Sequence, residues 1–450
     1  MLEKKSLELL SQAVARLDAG FSALPDFEAL VAGSDAMGAV LEHVTERLRD
    51  NYPYFHPLYA GQMLKPPHPI ARAAYALATW INPNNHALDG GRASSALEKE
   101  AVAEIAAMFG WKIHLGHLTS GGTMANLEAL WVAGQLAPGK KIVASAQSHY
   151  THERISGVLQ LPFGKIAADA RGRMDCAALE AGAAAGGIGC VVATLGTTGV
   201  GAVDPLPEIL SLRERYGFRV HVDAAYGGYF TLAENLAEPA RAAFDRIGEA
   251  DSIVIDPHKH GLQPYGCGCV LFRDPEVGRF YRHDSPYTYF SSKELHLGEI
   301  SLECSRAGAA ATALWATQKL LPLTRGGEFA GALSSSRRAA LRMAGLLRER
   351  GFVVPFEPEL DIVVWAPREK SASAASEASQ RIFDHAAAQG LHLALIQLPV
   401  SFFDAAWPGL EKDREHVLSL RSVLMKPEHE GWVNEIVDRV TSAVLRKRRR

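Results

Sequence analysis

The chain has 450 residues, more than one simple core needs, and this length indicates roughly two or three domains. Hydrophobic residues make up 48% and charged residues 22%, as in an ordinary soluble globular protein. A formal net charge of −3 and a pI of about 6.6 give no reason to expect a nucleic-acid or membrane partner.

The pattern of residues 1–60 predicts an N-terminal helical segment, which includes the aromatic-rich stretch 52–57 near its end. The opening sequence MLEKKSLELLSQAVARL has an amphipathic helix pattern without the uninterrupted apolar core of a signal peptide. The five cysteines are sparse and odd in number, and none has the spacing of a metal site. We therefore expect reduced thiols, no metal and a cytoplasmic location.

Residues 61–328 predict a large α/β domain. Short apolar runs alternate with amphipathic helices in this region, and they are KIVASAQ (141–147), GCVVATLG (189–196), FRVHVDAAY (218–226) and DSIVIDPH (251–258). Runs this apolar suit strands that are buried on both faces, and the alternation indicates βαβ units with a mainly parallel sheet. Residues 329–450 begin with a helix and continue through FVVPFE and DIVVWAP, which predicts a smaller α+β domain.

Polar clusters follow these apolar runs. They are Ser148-His149, Thr197-Thr198, Asp223 and His258-Lys259. In open α/β sheets, ligands bind at the carboxyl ends of the strands. The four clusters are therefore predicted to meet at one site.

Lys259 and Asp223 carry the chemistry of this predicted site. Burial at the end of a strand would free the Lys259 amine as a nucleophile for carbonyl groups, although a lone lysine here could also be a surface residue. A carboxylate as deep as Asp223 needs a cationic partner or acts as a cap. The pyridinium nitrogen of pyridoxal 5′-phosphate (PLP) is such a partner, and a protonated ring is an electron sink.

The segment Ser120-Gly121-Gly122-Thr123 opens a predicted helix and could bind phosphate through its free N–H groups. It could equally be an ordinary loop with a helix cap. His149 could stack on a cofactor ring or be structural.

In combination, five motifs resemble the group II pyridoxal-dependent decarboxylases, a fold-type-I PLP family that includes aromatic-amino-acid, histidine and glutamate decarboxylases. The motifs are TSGGTMAN (119–126), SAQSHYTHER (145–154), VATLGTTGVGAVDP (192–205), HVDAAYGG (221–228) and DPHKHG (256–261). The resemblance runs from about Pro53 to Arg306. It implies an aspartate-aminotransferase-like large domain and a homodimer with active sites at the interface.

The resemblance also implies a role for each matching residue. Lys259 would hold PLP as a Schiff base, Asp223 would pair with the ring nitrogen, and Ala225 and His149 would lie against opposite ring faces. Gly122, Thr123 and His258 would bind the phosphate, and Thr198 would lie near the polar edge of the cofactor. Asp256 stands where relatives often carry Asn or Ser, so the resemblance leaves its role open.

Two further segments bear on the reaction. FYRHDSPYTYF (280–290) resembles a loop whose tyrosine protonates the substrate after carbon dioxide leaves, with Tyr287 the better match and Tyr289 the rival. ISLECSRAG (300–308) resembles a stretch with an arginine near the substrate carboxylate, here Arg306.

The function predicted from this resemblance is decarboxylation of an L-amino acid to its amine. An aminotransferase would share Lys259, Asp223 and the phosphate motif, and a carbon–carbon lyase of the sphingosine-phosphate-lyase kind has a similar lysine motif. The substrate stays open between an aromatic and an acidic amino acid. Phe55, His56 and His86 are the predicted side-chain contacts.

Overall fold

A computed structural model describes residues 4–25, 27, 33–282 and 300–445 of the chain. The α-helices are α1 (Lys4–Ala19), α2 (Ser34–Leu48), α3 (Pro69–Thr79), α4 (Arg92–Met108), α5 (Gly122–Leu136), α6 (Thr151–Val158), α7 (Cys176–Ala184), α8 (Leu206–Tyr216), α9 (Ala240–Asp245), α10 (Gly308–Leu320), α11 (Glu328–Glu349), α12 (Ala372–Ala388) and α13 (His429–Leu445). The strands are β1 (Leu115–Thr119), β2 (Lys141–Ser145), β3 (Phe163–Ile166), β4 (Ile188–Thr194), β5 (Arg219–Asp223), β6 (Ser252–Ile255), β7 (Gly268–Phe272), β8 (Phe352–Val353), β9 (Ile362–Pro367), β10 (Ala394–Pro399) and β11 (His416–Val423).

The larger sheet has seven strands in the order β1-β7-β6-β5-β4-β2-β3. The pairings of β2 with β3, β2 with β4, β4 with β5 and β5 with β6 are parallel, while β7 is antiparallel to both of its neighbours. Every residue of β4 is buried, as expected for a strand with helices on both faces of its sheet. The four apolar runs are β2, β4, β5 and β6, so the predicted mainly parallel sheet is confirmed.

The smaller sheet has four antiparallel strands in the order β10-β11-β9-β8. Helices α11, α12 and α13 pack around it, with Met343, Trp365 and Val437 in the shared core. This confirms the small C-terminal α+β unit. The expected boundaries at 60/61 and 328/329 stay predictions, although α11 begins at Glu328.

Helices α1 and α2 contain no buried residue. Many of their apolar side chains are exposed, and Leu9 and Leu41 are 55% and 62% exposed. On its other side, α1 packs against α3, where Leu10, Val14 and Leu17 are half-buried. Within the described residues, no helix is long and apolar enough to cross a membrane.

Candidate active site

The carboxyl ends of β4, β5 and β6 open into a cavity of about 320 Å³. This edge of the sheet is where the polar clusters of the sequence were predicted to meet. The lining residues are Ser120, Gly121, Gly122, Thr123, Met124, Asn126, His149, Thr151, Thr194, Gly196, Thr198, Asp223, Ala225, Tyr226, Asp256, His258 and Lys259. The four predicted clusters therefore contribute to one cavity, although His149 and Lys259 are 110 residues apart in the sequence.

Lys259 lies in the turn after β6, and its backbone N–H donates to the carbonyl of Asp256 at 2.9 Å. Its ammonium Nζ lies 2.9 Å from Oδ2 of Asp256, and the side chain remains 21% exposed to the cavity. The other carboxylate oxygen of Asp256, Oδ1, is buried without a hydrogen-bond partner among the described residues. The site therefore holds a primary amine that is restrained by one ion pair and still accessible.

Asp223 ends β5 on the floor of the cavity and is only 5% exposed. A 2.9 Å hydrogen bond joins its Oδ2 to Nε2 of His152, and its Oδ1 accepts from the N–H of Ala225 at 3.1 Å. Burial alone would raise the pKa of Asp223, but the hydrogen bond and charge of His152, together with Lys259, hold that pKa well below its usual value. The floor of the cavity is therefore a fixed negative charge at neutral pH.

The opposite end of the cavity is the turn between β1 and α5. Gly121, Gly122 and Thr123 line it, and the first N–H groups of α5 have no partner within the helix. A Cβ atom on Gly122 would lie 2.6 Å from Oδ2 of Asp256, so only glycine allows this approach. Free N–H groups at the start of a helix of this length attract a phosphate group.

His149 lines the cavity beyond the end of β2. Its Nδ1 lies 2.7 Å from the Thr151 hydroxyl, and its ring tilts against Tyr150 with centroids 4.5 Å apart. Burial lowers the pKa of His149, which leaves the imidazole neutral at physiological pH. On the same side, the carbonyl of Thr198 accepts a 2.7 Å hydrogen bond from Arg421, which fixes the turn after β4.

His258 occupies the wall next to Lys259. Its Nδ1 donates to the carbonyl of Cys267 at 2.8 Å, so its Nε2 faces the cavity end where α5 begins. Burial lowers the pKa of His258, while the charge of Asp256 opposes that shift.

These residues fit PLP at both of its charged ends. The anionic Asp223 suits a protonated ring nitrogen, and the start of α5 suits the phosphate, with Lys259 between them. The small side chain of Ala225 and the ring of His149 also line the cavity. The carboxylate of Asp256 is the one group that opposes the phosphate, because it approaches the Gly122 end of the cavity.

The structure does not bring the four predicted substrate residues to this cavity. The guanidinium of Arg306 is held inside the fold, where it pairs with Glu98 and donates to the carbonyl of Leu118 at 2.8 Å. His56 packs edge-on against Trp432, with ring centroids 4.9 Å apart.

The other two predicted substrate residues also lie elsewhere in the chain described. Phe55 lines a different cavity, and the backbone N–H of His86 donates to Asn84 near Arg306. Tyr287 and Tyr289 lie outside the described residues.

Sequence reasoning missed two residues that support the site. His152 is fully buried and bonded to Asp223, and its only signal in the sequence is its place one helical turn after His149. Arg421 lies on β11, more than 200 residues after the turn that it holds, and no local pattern points to it.

The comparisons with known proteins agree with this geometry. The model of the pyridoxal-dependent decarboxylase conserved domain matches residues 131–365. An L-tyrosine decarboxylase from Enterococcus faecium is 28% identical over 474 residues, covering 80% of this chain and 77% of that protein. A protein from Methanothermobacter thermautotrophicus named "Probable L-tyrosine/L-aspartate decarboxylase" is 29% identical over 316 residues, covering 68% of this chain and 82% of that protein.

Solved structures show the same fold. Mouse CSAD in its apo form has a TM-score of 0.77 at 20% identity, covering 98% of this chain and 99% of that one. Oryza sativa TDC with PLP and tryptamine has a TM-score of 0.78 at 17% identity, covering 98% of this chain and 99% of that chain. The fold and the cavity thus define a fold-type-I PLP enzyme. The chain belongs to the pyridoxal-dependent decarboxylase family, with PLP as its cofactor and decarboxylation of an amino acid as its reaction.

Proposed function

We propose that this enzyme decarboxylates an aromatic L-amino acid, with tyrosine as the leading candidate, in the cavity around Lys259. The observation that carries the proposal is the composition of that cavity. Among the described lining residues the only lysine or arginine is Lys259. Because Lys259 is assigned to the cofactor, these residues offer no second cation to an acidic side chain, whereas an aromatic side chain needs none.

When bound, PLP supplies an electron sink that stabilises negative charge at the substrate Cα. In the proposal, Lys259 binds the cofactor covalently, and Asp223 holds a negative charge where the ring nitrogen rests. The low pKa of Asp223 keeps that charge throughout the neutral range. His152 is a positioning residue, because its hydrogen bond fixes the direction of the Asp223 carboxylate.

The remaining residues orient the cofactor. Gly122, Thr123 and His258 would hold the phosphate end, while Ala225 and His149 would pack against the ring. The neutral imidazole of His149 can pack over a ring without bringing a desolvated charge with it. Thr198 would lie near the polar edge of the cofactor, on the turn that Arg421 holds in place.

A proton must return to the substrate Cα after carbon dioxide leaves. The proposed acid is the Tyr287 hydroxyl, with Tyr289 as the rival and the Lys259 amine as a second donor. A positioned acid typically accelerates such a step about 10²–10⁴-fold. Tyr287→Phe should therefore lower the ratio of amine to aldehyde product, and an unchanged ratio in both Tyr287→Phe and Tyr289→Phe would remove the segment 280–290 from the role.

The substrate carboxylate also needs a partner. Arg306 is the candidate from the sequence, but Glu98 already pairs with its guanidinium in the described chain. Arg421 is a second candidate, because its guanidinium reaches the carbonyl of Thr198 at the cavity wall. Arg421→Lys should raise KM more than it lowers kcat if Arg421 binds the carboxylate, while loss of kcat alone would assign Arg421 to positioning of the turn.

Aspartate is the second candidate substrate, because the name of the Methanothermobacter relative includes it. The experiment that decides is an amine-product screen of the holoenzyme with each of the twenty amino acids and 2,4-diaminobutyrate. The proposal expects tyramine from tyrosine with stoichiometric carbon dioxide. Faster formation of β-alanine from aspartate would overturn the aromatic assignment and leave the decarboxylase chemistry in place.

We also propose that the enzyme is a cytoplasmic homodimer with its active sites at the interface. The outward-facing apolar side chains of α1 and α2 support a partner that covers them. The five free cysteines support a reducing compartment. Light scattering on the purified holoenzyme tests the dimer, and a fully active monomer would contradict it.

A further inference from the structure

A second cavity, of about 330 Å³, lies between α11, the segment 65–69 and the turn before α13. It shares no lining residue with the cavity around Lys259. Its lining residues are Phe55, Lys65, Pro66, Pro67, His68, Pro69, His260, Leu262, Leu321, Glu328, Phe329, Ala332, Leu333, Ser336, Lys426, Pro427 and Glu428. Most of these are apolar, and two are lysines.

The two lysines are held by main-chain carbonyls. Nζ of Lys426 donates to the carbonyl of Tyr59 at 2.7 Å, and Nζ of Lys65 donates to the carbonyl of Met425 at 3.3 Å. Lys426 is 3% exposed and Lys65 is half-buried. Among the described residues neither ammonium forms an ion pair, although the charges of Asp361 and Glu428 act on Lys65, and that of Glu428 on Lys426, from a greater distance. Each ammonium has three N–H groups, so both keep donors that these bonds do not use. A buried cation such as Lys426 is costly without an anion in direct contact, and an anion in the cavity would relieve that cost.

The cavity is also polarised along its length. Lys426 is buried and Lys65 half-buried, while Glu328 and Glu428 are exposed. Phe329 and Leu333 are buried and give the cavity an apolar wall. A ligand that fits this arrangement places a negative group deep in the cavity and an apolar body against the wall.

We propose that this second cavity binds a small carboxylic acid with an apolar body, whose carboxylate is held by Lys65 and Lys426. The planar carboxylate can accept from two ammonium groups at once, and the apolar wall disfavours a fully hydrated anion such as inorganic phosphate. The ligand joins the segment before α3 to the small C-terminal sheet unit and to α11.

The charge state of the two lysines supports this assignment. Burial lowers the pKa of Lys426 to about 7 and that of Lys65 to about 8. The other titratable groups facing them are His68, His260, Glu328, Glu428, Asp361 and Tyr59. Burial also lowers the pKa of both histidines, so the lysines are the groups that lose charge as pH rises above neutral. Affinity for the carboxylate should therefore fall about tenfold or more between pH 7 and pH 9.

The probe for this site is 4-bromobenzoate, whose bromine locates it by anomalous scattering. Titration calorimetry on the holoenzyme should give a Kd that weakens at least about tenfold in Lys426→Met, since a buried charged hydrogen bond is lost. The matched control is Lys370→Met, which removes an exposed lysine and should leave Kd unchanged. Lys426→Arg, which keeps the charge, should retain part of the affinity, and 4-bromobenzylamine should not bind.

In crystals of the holoenzyme, the bromine peak is expected beside Phe329 and Leu333. This crystallographic test uses the wild-type protein, so it does not depend on the folding of any variant. The proposal would be overturned by a bromine peak only in the cavity around Lys259. It would also be overturned by binding at crystal concentration only, or by a Kd that Lys426→Met leaves unchanged. Displacement of 4-bromobenzoate by inorganic phosphate at a lower concentration would overturn the carboxylic-acid assignment.

Discussion

The carboxylate of Asp223 is the group whose replacement tests the electrostatic account most sharply. In Asp223→Asn, the side chain keeps its shape, and its remaining oxygen can still accept from the N–H of Ala225. The amide carries no charge, so both His152 and the cofactor nitrogen lose their anionic partner. We therefore expect the fold and cofactor binding at saturating PLP to persist while turnover falls.

The magnitude follows from burial. Asp223 is 5% exposed, and removing one partner of a buried charge pair typically costs about 3–5 kcal/mol. If that cost is expressed in the transition state, kcat falls about 10²- to 10⁴-fold, since each 1.36 kcal/mol is tenfold. If the same free energy is lost from PLP binding and kcat is unchanged, the charge of Asp223 serves cofactor binding alone.

The assay combines carbon dioxide release with the absorbance of bound PLP. Asp245→Asn is the matched control, because Asp245 is an exposed partner of Arg241 and should be neutral for turnover. A kcat within a few-fold of wild type in Asp223→Asn, at full PLP occupancy, would refute the assignment of Asp223 to the ring nitrogen.

Three other predictions concern the rest of the chain. Asp256→Asn should tighten PLP binding a few-fold, because it removes a negative charge near the phosphate end, and weaker binding would show that the ion pair with Lys259 matters more. Lys426 has a folded pKa of about 7, below its unfolded value, so the unfolded state binds more protons and the free energy of unfolding should rise from pH 7 to about pH 10. In Lys426→Met, urea unfolding should show a smaller rise of the free energy of unfolding with pH. The same pH dependence as in the wild type would contradict the lowered pKa of Lys426. Deletion of residues 1–50 should reduce solubility and dimer content in light scattering, whereas a monodisperse, fully active product would contradict the proposed role of α1 and α2.

The sequence predicts the large sheet well because its strands carry a strong local signal. β4 and β6 are buried on both faces, and their apolar runs are continuous in the sequence. The residues at the ends of such strands then meet by topology, so Lys259, Asp223 and His149 could be expected to share one cavity.

The residues that lie away from the cavity, or that the sequence did not indicate, depend on long-range contacts. The expectation for Arg306 rested on the resemblance of its segment, whereas its partner Glu98 on α4 is more than 200 residues away in the chain. Phe55 was expected at the substrate and lines the second cavity, because the segment 52–69 runs past α11 and Lys426. Spacing and periodicity carry no information about such pairings.

The central claim is that Lys259 holds PLP in the cavity where amino acids are decarboxylated. Borohydride reduction of the resting holoenzyme, followed by peptide mass spectrometry, tests this most directly. Lys65 and Lys426 are internal competitors, since burial lowers their pKa and so frees their amines for reaction. The account predicts one phosphopyridoxyl group per chain, on Lys259, with amine formation abolished. A group on Lys65 or Lys426, or full activity after reduction, would contradict it.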